Sequence, residues 1–252
     1  MALSSEINQY LVSVLHPEAY EDFCPNGLQV QGKEEVSCLV SGVTANQALI
    51  DKAIEYGADV IVVHHGFFWK NEPREITGIQ YQRLRKLITH DVNLFAYHLP
   101  LDGNQIWGNN VQFAKQLSLP VIGPVCSKDR NALMLYGEYN APVHLADLEK
   151  LISQQLKRTP LCLSGPGRPI KKIAWCTGAG QSFFREAIDA GMDCFITGEV
   201  SEYCVSLARE YNVNFIAVGH HASERYGVKA LGDHLAEAFN LKHQFIDIDS
   251  PV

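Results

Sequence analysis

His64, His65 and Gly66 follow directly on the apolar run Val60-Ile-Val-Val63. A neutral imidazole is a metal ligand, so two in succession at the end of a strand-like segment suggest a metal centre. An isolated His-His-Gly is equally well read as polar residues capping a strand. Successive strand residues point to opposite faces, so both rings serve one centre only if the strand breaks there, which Gly66 permits. Three further apolar segments end the same way, in His98 to Asp102, in Gly198-Glu199, and in Gly219-His220-His221-Ala-Ser-Glu224. His220 and Glu224 are four apart, which places them on one face of a helix beginning at the Gly219 turn. Three imidazoles with two carboxylates exceed the needs of one tetrahedral ion, and a carboxylate can bridge two. Nitrogen and oxygen donors without thiolate suit zinc, iron, manganese or nickel.

The elements that must position these groups alternate. Apolar spacing predicts a helix from Ser4 or Ser5 through Leu15, a turn at Asn26-Gly27 into an edge strand, and a strand over Cys38 to Val43. A helix opened by Thr44 or Asn46 then leads to the His-His strand. The aromatic stretch Phe67-Phe-Trp69 reads as a loop that lines a cleft or plugs a subunit contact. A helix over 79–90 and a strand over 93–99 follow, the strand carrying His98 and Asp102 at its end, and then a helix from Gly108 to about Leu117. The second half reads as a strand over 133–139, a helix over 145–157, the Ser164 to Pro169 turn and a strand over 173–177. A helix through Ala190, a helix from Ser201 to Tyr211, a strand over 214–218, a helix from Ser223 and a strand over 244–248 complete it. The Ser164 to Pro169 turn lacks the Gly-Lys-Ser/Thr ending of a phosphate loop.

The chain also repeats itself. Ala53-Ile-Glu-Tyr-Gly-Ala-Asp59 matches Ala187-Ile-Asp-Ala-Gly-Met-Asp193, and a short apolar strand follows each. A duplicated strand-helix-strand unit over 38–66 and 172–200 explains the match. The expected architecture is α/β, with two similar interlinked lobes over 1–124 and 125–252, divided at Pro120 to Pro124. The ligands would lie in the crevice between them, outside the carboxyl ends of strands. Composition narrows the function classes. With 252 residues, 46% hydrophobic, and a formal charge of −7, a globular fold is expected without general nucleic-acid binding. Seven scattered cysteines without a Cys-x-x-Cys pair read as reduced thiols, and no apolar run reaches membrane-spanning length. The expected compartment is the cytoplasm.

Taken together, His-His-Gly after an apolar strand, His98-x-x-Leu-Asp102 and Gly219-His-His-Ala-Ser-Glu224 resemble the Nif-three-like, or YbgI-type, family. Its members are commonly named GTP cyclohydrolase I type 2 homologues. Asn26-Gly-Leu-Gln-Val30 and Thr197-Gly-Glu199 extend the resemblance over nearly the whole chain. It implies a dinuclear centre with ligands His64, His65, Asp102, His220 and Glu224, Glu224 bridging two divalent transition-metal ions. It also implies His98 nearby as a proton shuttle or support, Glu199 as a partner orienting a ligand histidine, and assembly as a toroidal homohexamer. His221 is expected to point away. Leu99 departs from the pattern, standing where the family usually has a small hydroxyl residue.

Two functions fit. One is a metal-dependent hydrolase, in which the ions activate a bridging water and His98 or Glu199 moves protons to or from a small-molecule substrate. Ring opening of GTP, or cleavage of a phosphoester or cyclic amide, fits the same metals. The other is a non-enzymatic metal-binding or regulatory ring that binds partners.

Overall fold

The computed structural model describes residues 2–126, 131–164 and 167–252, so Gly165 and Pro166 of the glycine-rich turn lie outside the described residues. The fold is α/β, and the chain forms two compact units. The first is Met1–Leu101 with Gly227–Asp249, and the second is Asp102–Tyr226 with Ser250–Val252. These limits differ from a division at residue 124. The helix Asn109–Leu117 does stop ahead of Pro120, at Ser118 in the left-handed conformation, but it packs Val111, Phe113, Ala114 and Leu117 into the core of the second unit. The C-terminal strand Lys242–Phe245 pairs in parallel with Cys38–Thr44 and so belongs to the first unit.

In the first unit the sheet order is Lys242–Phe245, Cys38–Thr44, Val60–His65, Asn93–Ala96 and Gly27–Val30. All neighbours are parallel except the antiparallel edge strand Gly27–Val30. Val60 to Val63 are wholly buried, as a strand covered on both faces requires. Val40, Ile61, Val63 and Leu94 pack on the helix Gln47–Tyr56 through Leu49, Ile50 and Ala53. Asn46 caps that helix, its side chain accepting from the Leu49 N–H, and Gly57 ends it in the left-handed conformation.

The second unit is built alike. Ile170–Cys176, Cys194–Thr197 and Asn214–Ala217 are parallel neighbours, with the short antiparallel strand Leu161–Leu163 beside the last. Alternate residues face opposite sides: Ile173, Trp175, Ile196 and Ile216 pack on one, Ala174, Phe195, Phe215 and Ala217 on the other. The antiparallel strands Leu135–Val143 and Gly123–Pro124 extend the other edge.

The likeness reaches individual hydrogen bonds. Asp59 accepts from the N–H groups of Ser37 and Cys38, at 2.7 and 3.0 Å, while pairing with Lys33. Asp193 accepts from those of Lys171 and Lys172, at 2.9 and 2.8 Å, while pairing with Arg168. Asn93 donates from its backbone and side chain to the Asp59 carbonyl, and Asn214 does the same to that of Asp193. These bonds fix where each parallel ladder starts, and hence where its far end delivers functional groups. The repeated Ala-to-Asp segment is therefore a repeat of structure as well as of sequence.

Elements that carry candidate ligands differ from the sequence expectation. The strand at 93 ends at Ala96, because the N–H groups of His98 and Leu99 turn to Asn26 Oδ1 and Asp22 Oδ2 and leave the ladder. Asp102 accordingly sits on the one-turn helix Leu99–Gly103. The last long helix begins at His220, three residues before Ser223, and runs to Phe239.

Candidate metal centre

In the first unit, three imidazoles gather where the His-His strand ends. His64 is fully buried and its Nδ1 lies 2.9 Å from the Tyr97 carbonyl. A carbonyl only accepts, so Nδ1 carries the proton and the lone pair of the neutral ring is on Nε2. His65 ends the same strand, its Nδ1 lying 3.1 Å from Thr44 Oγ1. The strand therefore runs through both histidines and breaks after them, at Gly66. A Cβ on Gly66 would lie 2.2 Å from Gln29 Oε1 and 2.4 Å from the Ala96 Cβ. Gln29 accepts from the Phe67 N–H and donates to the Phe67 carbonyl, which turns the chain away. Ring nitrogens of His64, His65 and His98 lie within 4.8 Å of one another. Trp69 meets His98 edge to face at 5.0 Å between centroids.

His98 is held by a carboxylate that spacing arguments overlooked. Asp22 Oδ1 lies 2.7 Å from His98 Nδ1, and Oδ2 accepts from Asn26 Nδ2 at 2.8 Å and from the Leu99 N–H at 3.0 Å. The Leu99 backbone thus makes the local bond without a hydroxyl side chain. Burial disfavours the Asp22 charge, but the His98 and Asn26 hydrogen bonds outweigh it and hold the carboxyl at about 2. Asp22 stands just ahead of the Asn26-Gly27 turn signal. A carboxylate four residues before an Asn-Gly turn was the available cue, and by itself it reads as ordinary turn chemistry.

In the second unit, Asp102 and Glu224 are both buried and their carboxylate oxygens lie within 4.8 Å of one another. Asn109 donates to Asp102 Oδ1 at 2.8 Å. His220 Nε2 lies 3.0 Å from Glu224 Oε2, as helical i,i+4 spacing requires, and its Nδ1 lies 2.7 Å from Glu199 Oε1. Burial lowers the His220 pKa, but Glu224 and then Glu199 overcome it and push it up to about 9. Two carboxylates this close in a buried setting favour a neighbouring positive charge. Gly178, in the left-handed conformation at φ 69°, lies against Glu224: a Cβ there would stand 2.0 Å from Oε1. Its N–H donates to Ser223 Oγ at 2.9 Å. His221 joins none of the donor clusters among the described residues, and its N–H bonds to the Val252 carbonyl.

Within the first unit the structure brings together His64, His65 and His98. Within the second it brings together Asp102, Glu224, His220 and Glu199. All these donors are nitrogen or oxygen, the chemistry of a divalent transition-metal site. Asp22, Cys24 and His98 form a second triple, in which Asp22 and His98 are already bonded to each other at 2.7 Å.

Known proteins resemble this chain over nearly their whole length. A Yersinia pestis protein named GTP cyclohydrolase 1 type 2 homolog is 47% identical over 98% of this chain and 98% of its own. A Pseudomonas aeruginosa protein of the same name is 49% identical over 92% and 91%. The solved structure of the protein ybgI superposes with a TM-score of 0.94 at 44% identity, covering 99% of this chain and all of that one. A Thermus thermophilus structure gives 0.89 at 31% identity over the same share of each. Among the described residues no helix is long and apolar enough to cross a membrane. The family model for Duf34/NIF3 (NGG1p interacting factor 3) matches residues 2–251, and the chain belongs to that family.

Proposed function

We propose that His64, His65, Asp102, His220 and Glu224 act as one donor set for two divalent transition-metal ions, with Glu224 bridging, and that the protein is a metal-dependent hydrolase. The observation that carries the reading is the imidazole cluster of the first unit, with His64 held in the tautomer that offers Nε2 as a ligand. The buried Asp102 and Glu224 carboxylates supply the negative charge that two cations need. The chemistry contributed by ions bound there is Lewis acidity, polarising the bond under attack and lowering the pKa of a shared water.

The chain's own residues have separate tasks. Tyr97 and Thr44 orient the two adjacent imidazoles through their Nδ1 atoms. Glu199 does the same for His220, so that Nε2 is the nitrogen directed at Glu224. His98, with Nδ1 committed to Asp22, moves a proton at Nε2. Phe67 is buried under the loop, whereas Phe68 and Trp69 remain partly accessible to a substrate. The relatives' name points to a cyclic amide within a purine ring, and a phosphoester substrate suits the same donors. Seven free cysteines suit a reducing cytoplasm, and a toroidal hexamer is the assembly we expect.

The test is turnover by iron-, manganese- and zinc-loaded protein on a panel of GTP, phosphoesters and cyclic amides. The hydrolase reading expects turnover that disappears in His64→Ala and Glu224→Gln while oligomer size is kept. Metal-loaded wild type that turns over nothing, while a metabolite or protein partner binds in a metal-dependent way, would establish the non-enzymatic ring instead.

A further inference from the structure

Both carboxylate oxygens of Asp22 are engaged beside the imidazole cluster, and the mechanism above uses Asp22 only as the group on His98 Nδ1. Its side chain is 4% exposed. Oδ1 accepts from His98 Nδ1 at 2.7 Å and from the Phe23 N–H at 2.6 Å, and Oδ2 accepts from Asn26 Nδ2 and the Leu99 N–H. Asn26 in turn accepts from the His98 N–H at 2.7 Å. Residues 22–26 thus grip both the backbone and the ring of His98.

We propose that Asp22 is a positioning residue that fixes His98 as the Nδ1–H tautomer, leaving a basic Nε2 as the nitrogen that exchanges a proton with the substrate. A carboxylate on Nδ1–H sets the ring orientation and stabilises the imidazolium that forms when Nε2 takes a proton, the logic of an Asp-His pair in acyl-transfer enzymes. The pair goes from a net charge of −1 to 0 while Nε2 holds the proton and returns to −1 when Nε2 gives it back, and Nδ1–H stays on His98 throughout. The inference rests on the reading of His98 as a proton carrier, and its test does not require a known substrate.

The experiment is nitrogen-15 NMR of histidine-labelled, zinc-loaded protein, with His98 assigned by its loss in His98→Gln. In wild type the His98 signals should show Nδ1 protonated and Nε2 unprotonated. In Asp22→Ala the Nδ1–H form should no longer predominate, while the zinc content stays at the wild-type value. A wild-type His98 protonated on Nε2, or a tautomer unchanged by Asp22→Ala, overturns the proposal. Loss of zinc from Asp22→Ala also overturns it, because Asp22 then acts on the metal ligands. Should wild type bind no zinc, the metal reading fails by itself, and the tautomer measured in the zinc-free protein still decides the role of Asp22.

Discussion

Gly178→Ala isolates the seating of Glu224 from general backbone strain. Gly178 has φ 69° and Gly191 has φ 76°, so an added Cβ meets the same left-handed penalty at both, about 1–2 kcal/mol. Around Gly191 nothing lies within 4 Å of the new atom, whereas at Gly178 it would stand 2.0 Å from Glu224 Oε1 and 3.3 Å from His220 Nε2. The Glu224 carboxylate must move, and because it is buried and tied to His220 it cannot swing into solvent. Overpacking of this kind costs about 1–3 kcal/mol beyond the strain. Gly191→Ala should therefore lower urea stability by about 1–2 kcal/mol and leave metal binding unchanged. Gly178→Ala should cost about 2–5 kcal/mol and weaken metal binding by roughly 10- to 100-fold, the usual effect of disturbing a ligand's support. Urea titration of metal-free protein and competition with a chelating indicator measure the two effects. Equal destabilisation by the two variants with unchanged affinity in both would refute the placement of Glu224 as a ligand seated against Gly178.

Asp59→Ala removes the acceptor of two backbone N–H groups and the Ser37 hydroxyl, and Asp193→Ala that of two N–H groups on exposed lysines that water can replace. At about 1–3 kcal/mol per uncompensated donor, Asp59→Ala should cost about 3 kcal/mol and Asp193→Ala about half that, both with wild-type metal content. Loss of metal in either variant would show that these strand starts are coupled to the site. A pH effect follows from His220, whose pKa is raised to about 9 by Glu224 and Glu199. A metal ion must displace its Nε2 proton, so affinity should rise with pH by up to about tenfold per unit and level off above about 9. Affinity that is flat between pH 6 and 8 by isothermal titration calorimetry would contradict it. Glu224→Gln keeps the shape but removes the charge that two cations share, and it should lose one or both ions while its circular dichroism is unchanged.

The sequence carried much of this because its signals were local. Four β-branched or aliphatic residues before His64 specify a strand buried on both faces, and the His220 to Glu224 spacing specifies one helical face. The repeat was legible in Ala53 to Asp59 and Ala187 to Asp193, since each ends in the aspartate that starts a ladder. What was not legible depends on contacts distant in sequence. The early end of the strand at Ala96 is caused by Asp22 and Asn26, more than seventy residues away. The C-terminal strand joins the first unit because its free edge partner there is Cys38–Thr44, a choice that no periodicity encodes. Ser41, His243 and Asp233 form a serine-histidine-aspartate chain, with contacts of 2.8 and 2.9 Å, that fastens this strand. Ser41 is fully buried, so the chain holds structure and offers no nucleophile.

A dinuclear centre is tested most directly by counting the ions. Elemental analysis of protein purified without chelator, and again after reconstitution with iron, manganese, zinc or nickel, measures them against protein concentration. Two ions per chain, falling in His64→Ala and in Glu224→Gln, is the result this account predicts. Protein that carries no transition metal as isolated and takes up none on reconstitution would contradict it.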